Sequence, residues 1–106
     1  MIEVFHFLPR DLTQDRFNAF PRTPNDVRRI WGHKDEEWTY RHVASVDTDD
    51  LDVAWDRTNH IDDSWQKNAD VIVAPMGERA RSSMVGDVFI RDGVAHCVAP
   101  FGFEQL

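Results

Sequence analysis

The chain reads as one small α+β domain spanning residues 1–106: a mixed or antiparallel sheet of about five strands, two helices and a C-terminal β-hairpin. Three observations predict this. A length of 106 residues leaves room for one core and not for two. Short β-rich runs closed by Pro or Gly alternate with two stretches of helical period. Asp92-Gly93 joins two strand-like runs with the dipeptide that favours a two-residue type I′ turn.

Residues 2–7 are rich in Ile, Val and Phe and fit a short strand buried on both faces, ended by Pro9. The stretch 9–24 is broken by Pro9, Pro21 and Pro24, with Phe17 and Phe20 at the spacing of one helical turn. Thr23-Pro24 is an N-cap followed by the proline suited to the first helical position, so a helix runs over 24–31. Val27, Ile30 and Trp31 form its apolar stripe, and Gly32 suits a left-handed stop. Residues 38–46 carry no breaker and predict a strand with Tyr40, His42, Ala44 and Val46 on one face.

Thr48 or Asp49 can cap a second helix, in which Leu51, Ala54, Trp55 and Thr58 recur with a 3.6 period and face the core. Asp49, Asp52 and Asp56 cluster opposite, the early acids at the positive end of the helix dipole. Residues 70–74 make a short strand closed by Pro75 and Gly77. In the hairpin, 87–91 pairs with 94–99, which places Val88, Ile90, Ala95 and Cys97 on an apolar face. Asp87, Phe89, Arg91, His96 and Val98 form the other face, read as decorated and outward, with room there for a homodimer through Phe89 and Val98.

Composition narrows function more by exclusion than by assignment. The formal net charge of −7, from 19 acids against 12 bases, opposes nonspecific binding to phosphates. Ten of the twelve bases are Arg, a skew that genomic base composition produces as readily as function does. The single cysteine, Cys97, excludes an intrachain disulfide and a Cys-x-x-Cys metal site, and on the apolar hairpin face it is a packing residue. No membrane span or signal peptide is visible, which points to the bacterial cytoplasm.

Chemistry-bearing residues are sparse. Residues 47–63 hold seven Asp and one Arg, but position six of a calcium loop begun at Asp47 is Asp52, not Gly, and position twelve is Thr58, not Glu. The acids therefore read as a solvated helix face or, secondarily, as a partner-binding face or a short nucleic-acid mimic. His6, His33, His42, His60 and His96 show no metal-ligand spacing. Ser83, His60 and Asp63 supply the residue types of a hydrolytic triad with no nucleophile-elbow sequence around any Ser. The string Asn59-His60-Ile61-Asp62-Asp63-Ser64-Trp65 follows the second helix, where Asn59 suits a left-handed stop and the dipole favours protonated His60. The loop 77–83 is the one compact basic, hydroxyl-rich patch, and its Arg79 and Arg81 suit a carboxylate or phosphate.

Two strings together, residues 49–65 and then Arg81-Ser82-Ser83-Met84-Val85-Gly86-Asp87-Val88 with Asp92-Gly93 and the closing 100–106, carry a resemblance. The pair resembles small bacteriophage and plasmid proteins similar to the YodL-like domains of polyvalent proteins from mobile elements. It covers residues 47–106, and Met84 departs from the small polar residue expected there. The resemblance implies a mobile-element origin and a role in takeover of, or protection from, host functions; it implies no catalytic residues.

The expectation is a non-catalytic protein that binds a host protein through Asn59, His60, Asp62, Trp65, Arg79 and Arg81, without cofactor or metal. In it Trp65 is the anchor, Asn59, His60 and Asp62 supply polar specificity, and the two Arg make salt links. Trp55 belongs to the core instead. Neither nucleic acid nor membrane is an expected partner. The alternatives are a ligand-binding domain or enzyme whose pocket joins His60 to the Arg79–Arg81 loop, and an acidic mimic of nucleic acid.

Overall fold

A computed structural model describes residues 1–7, 21–32 and 40–106. The strands are β1 (Ile2–Phe7), β2 (Tyr40–Val46), β3 (Val71–Val73), β4 (Val88–Arg91), β5 (Val94–Ala99) and β6 (Gly102–Gln105). The helices are α1 (Pro24–Trp31) and α2 (Leu51–Arg57), with 3-10 turns at Trp65–Lys67 and Pro75–Gly77. The strands form one antiparallel sheet in the order β3-β2-β1-β4-β5-β6. The helical turn expected from Phe17 and Phe20 lies outside the described residues.

Both helices start where side-chain chemistry offers their first amides a partner. Thr23 Oγ1 accepts from Asp26 N, with Pro24 in the first turn. For α2 the cap is Asp50, not Thr48 or Asp49: its carboxylate accepts from Asp52 N and Val53 N. Gly32 corrects another expectation, because its φ of −60° is right-handed. Asp92 and Gly93 have φ of 52° and 77°, the left-handed pair a type I′ turn demands.

One bulge organises the sheet. Val4 faces Ala44 while Phe5 faces His42, so Val43 is an extra residue in β2. The single face expected for Tyr40, His42, Ala44 and Val46 is therefore split, since an extra residue turns the following side chains to the opposite side. Tyr40 joins Phe7, Val88, Cys97 and Val27 of α1 in one core cluster. Ala44 and Val46 join Ile2, Val4, Phe89, Val98, Ala54 of α2 and Trp65 in the other.

The hairpin has the predicted register, Val88 against Cys97 and Arg91 against Val94, but β6 extends it to a three-stranded meander. The side read as outward is the larger core. Phe89 is fully buried and Val98 nearly so, which removes the ground for a homodimer through them. The reading failed because Asp87 and His96 looked like surface residues, whereas both are buried. Trp55 packs against this core half-buried. Among the described residues no helix is long and apolar enough to cross a membrane.

Candidate functional site

The 58–65 turn after α2 and the 80–83 loop do meet, as a pocket shared by His60 and the arginine loop requires. They meet by spending their polar groups on one another. His60 N donates to Ser82 Oγ at 2.8 Å, and Trp65 N donates to His60 Nδ1 at 3.1 Å. The indole N–H of Trp65 donates to Arg81 O at 2.9 Å. Trp65 itself has 0% exposure, so it is a core residue and not a surface anchor. Its apolar bulk fills the space that a ligand between His60 and the loop would need.

Asn59 is not a left-handed stop. Among the described residues Asp92 alone, glycines aside, has positive φ, and the Asn59 side-chain amide instead donates to Trp55 O. His60 Nδ1 accepts from Trp65 N, which in the neutral ring leaves the proton on Nε2. Asp62 and Arg79 are exposed.

Arg81 has the chemistry expected of it, with an internal carboxylate as its occupant. Its guanidinium grips Asp87 in a bidentate pair at 2.7 and 2.9 Å and also donates to Ser82 O and Phe7 O. Asp87 further accepts from Phe7 N at 3.0 Å and Met84 N at 2.8 Å. The pair therefore clamps the end of β1 to the strand lead-in, a structural task where a partner contact was expected.

Beside it lies a buried cluster. His6 Nε2 sits 2.9 Å from Ser83 Oγ and 3.8 Å from Asp87 Oδ2, and Ser83 Oγ sits 2.7 Å from Thr58 Oγ1. Thr58 donates to Ala54 O, so Ser83 donates to Thr58 and accepts from His6 Nε2–H. His6 Nδ1 is left with a lone pair and no partner. Burial lowers the His6 pKa to about 4, aided by the Arg81 charge and opposed by Asp87.

Ser, His and Asp are thus in one cluster, but not as a catalytic triad. The acid faces the same imidazole nitrogen as the serine, and that nitrogen carries the proton, so the ring offers no base to Ser83. His6 is fully buried and Ser83 is 3% exposed. Neither His60 nor Asp63 is in this cluster with Ser83, and the signal in the sequence that could have found it is an ionisable residue, His6, inside the apolar β1 run.

Around α2 the exposed surface is rich in acids, with Arg57 and Lys67 exposed among them, and Ile61 and Phe101 are the most exposed of the large apolar side chains among the described residues. Asp47, Asp49, Asp50, Asp52, Asp56, Asp62 and Asp63 are all exposed. Ile61 is 69% exposed and Phe101 99%. Ile61 lines a cavity of about 230 Å³ with Asp56, Asn59 and Asp62, next to the C-terminal end of α2. Pro100 and Gly102, the neighbours of Phe101, line a second cavity of about 240 Å³ with Asp52 and Trp55 of α2. A wider groove of about 660 Å³ runs past Asp49, Asp50 and Asp52 to Arg91 and Phe103. Among the described residues no group of His, Cys, Asp and Glu is placed to hold a metal ion.

Comparison with protein-family models, with curated proteins and with solved structures finds no match to this chain.

Proposed function

We propose that this chain is a small, non-catalytic binding protein of a phage or plasmid whose acidic α2 face engages a basic surface on a host protein. One observation carries the reading: the carboxylates of α2 and its flanks stand exposed, with the exposed Ile61 lining a cavity beside Asp56 and Asp62 and the neighbours of the exposed Phe101 lining one beside Asp52. Apolar anchors inside a charged field are what protein interfaces use, the anchors for affinity and the charges for steering and register. The mobile-element origin rests on the resemblance of residues 47–106 alone. Of the six residues first singled out, Asp62 remains in this surface and Arg79 stands exposed apart from it; Trp65 and Arg81 are structural.

The test is affinity capture by the tagged chain from nuclease-treated bacterial lysate, beside an Asp52→Lys, Asp56→Lys double variant shown to melt like the parent. One protein retained by the parent and lost by the variant supports the reading. Equal retention by both, or none from several hosts, defeats it. Displacement of the captured protein by duplex DNA would give these acids the part of phosphates.

A further inference from the structure

The groove and the smaller cavity beside β6 share Asp52, Gly102 and Phe103, so they are one continuous depression with two parts. The inner part is apolar, walled by Trp55, Val85, Val98 and Phe103 under the β5–β6 turn, and has room for one large apolar side chain. The outer part is rimmed by Asp49, Asp50 and Asp52; among the described residues Arg91 is the one basic side chain lining it, and the Met1 amine lies 3.0 Å from Asp49. Asp52 stands where the two parts join.

The backbone beside this depression is also open. Leu106 N donates to Ala95 O, which makes 97/104 and 99/102 the hydrogen-bonded pairs and turns the N–H and C=O of Phe103 away from β5. β6 is the last strand of the sheet, and further along its outer edge Gln105 O is taken by Arg28. Among the described residues the open backbone is that of Phe103, which also lines the depression, together with the Gln105 N–H.

We infer that this depression docks an extended segment of a partner protein in which one apolar side chain stands next to arginine or lysine. The apolar side chain fills the inner part, the cation lies on Asp52 and the acidic rim, and the segment's backbone bonds to Phe103. Asp49 is paired with the Met1 amine at 3.0 Å, which leaves Asp50 and Asp52 against the Arg91 guanidinium, a net negative rim that selects the sign of the charge. The inference deepens the binding reading above and rests on it.

The probe is a blocked pentapeptide with three arginines separated by leucine and phenylalanine, titrated into the ¹⁵N-labelled chain. Controls replace the arginines with glutamate or the apolar residues with serine. Saturable shifts at Asp52, Trp55, Val85, Val98 and Phe103 are expected with the first peptide. Both controls and Asp52→Lys should bind about tenfold more weakly, and Arg91→Ala more tightly. No saturation at millimolar peptide, equal binding of the glutamate peptide, or shifts on another surface would overturn the inference. So would the same resonances moving with protein concentration alone, which would assign the depression to a second copy. A captured partner that is lost with the charge reversal but indifferent to Val85→Phe, which fills the inner part, ends the inference and spares the binding reading. Peptide binding without any captured partner does the reverse.

Discussion

Asp87 is a charge held almost wholly inside the molecule, its side chain 1% exposed, and four hydrogen bonds from Arg81, Phe7 and Met84 answer it. Removing the cation while leaving the carboxylate strands a buried charge, so Arg81→Met should cost about 3–5 kcal/mol in urea unfolding. Adding Asp87→Asn should recover part of that loss, since the stranded charge goes with it; additive losses would refute the clamp. Arg81 therefore cannot serve as a clean probe of binding. His6 gives the molecule an acid-sensitive stability. Its folded pKa of about 4 lies below the ordinary 6.5, so the unfolded chain takes up a proton that the folded one refuses. This contribution is complete above about pH 6.5 and is lost as pH falls to about 4, on the order of 3 kcal/mol in all. Urea midpoints compared at pH 7 and pH 4.5 should fall more steeply for the parent than for His6→Gln.

The bulge at Val43 and the turn at Pro75–Gly77 are one device. Ala74 N donates to Val43 O at 2.9 Å, and the Gly77 backbone passes so close that an added Cβ would strike that carbonyl. Gly77→Ala should therefore destabilise by about 3 kcal/mol, from overpacking against backbone that cannot yield. Gly93→Ala, with open space around it, should cost only about 1 kcal/mol from its φ of 77°. Thermal melts of the two variants separate close approach from turn conformation. The same elements show what was legible. The span of α1, the Asp92-Gly93 turn and the β4–β5 register followed from residue type and spacing, because caps and turns are local chemistry. The bulge did not: nothing in 40–46 marks Val43, and the extra residue is selected by what packs on the two faces. β6 escaped because Gly102–Gln105 alternates weakly and gains its pairing from β5. At the candidate site, the chemistry expected of Arg81 is right and its occupant is not the expected one. Sequence reveals that a carboxylate suits an arginine, but only the fold shows that Asp87 is the carboxylate.

At the scale of the molecule, exposure separates what folds from what binds. Phe101 is 99% exposed, so Phe101→Ser should leave the unfolding midpoint within about 0.5 kcal/mol of the parent and weaken retention of the partner. With a net charge of −7, that retention should also fall as salt rises from 50 to 300 mM, which stepwise elution would show. The sheet order has a consequence for the order of synthesis. β1 precedes β2 and β4 in the chain, yet it lies between them in the sheet. Its two edges are filled by residues 40–46 and then by 88–91, so one edge stays open until the later segment has been made. Until then Ile2, Val4 and Phe7 belong to an open strand that any other nascent copy can pair with. Slow synthesis between residues 46 and 88 prolongs that exposure, and the yield of folded protein becomes a matter of translation speed as well as of stability.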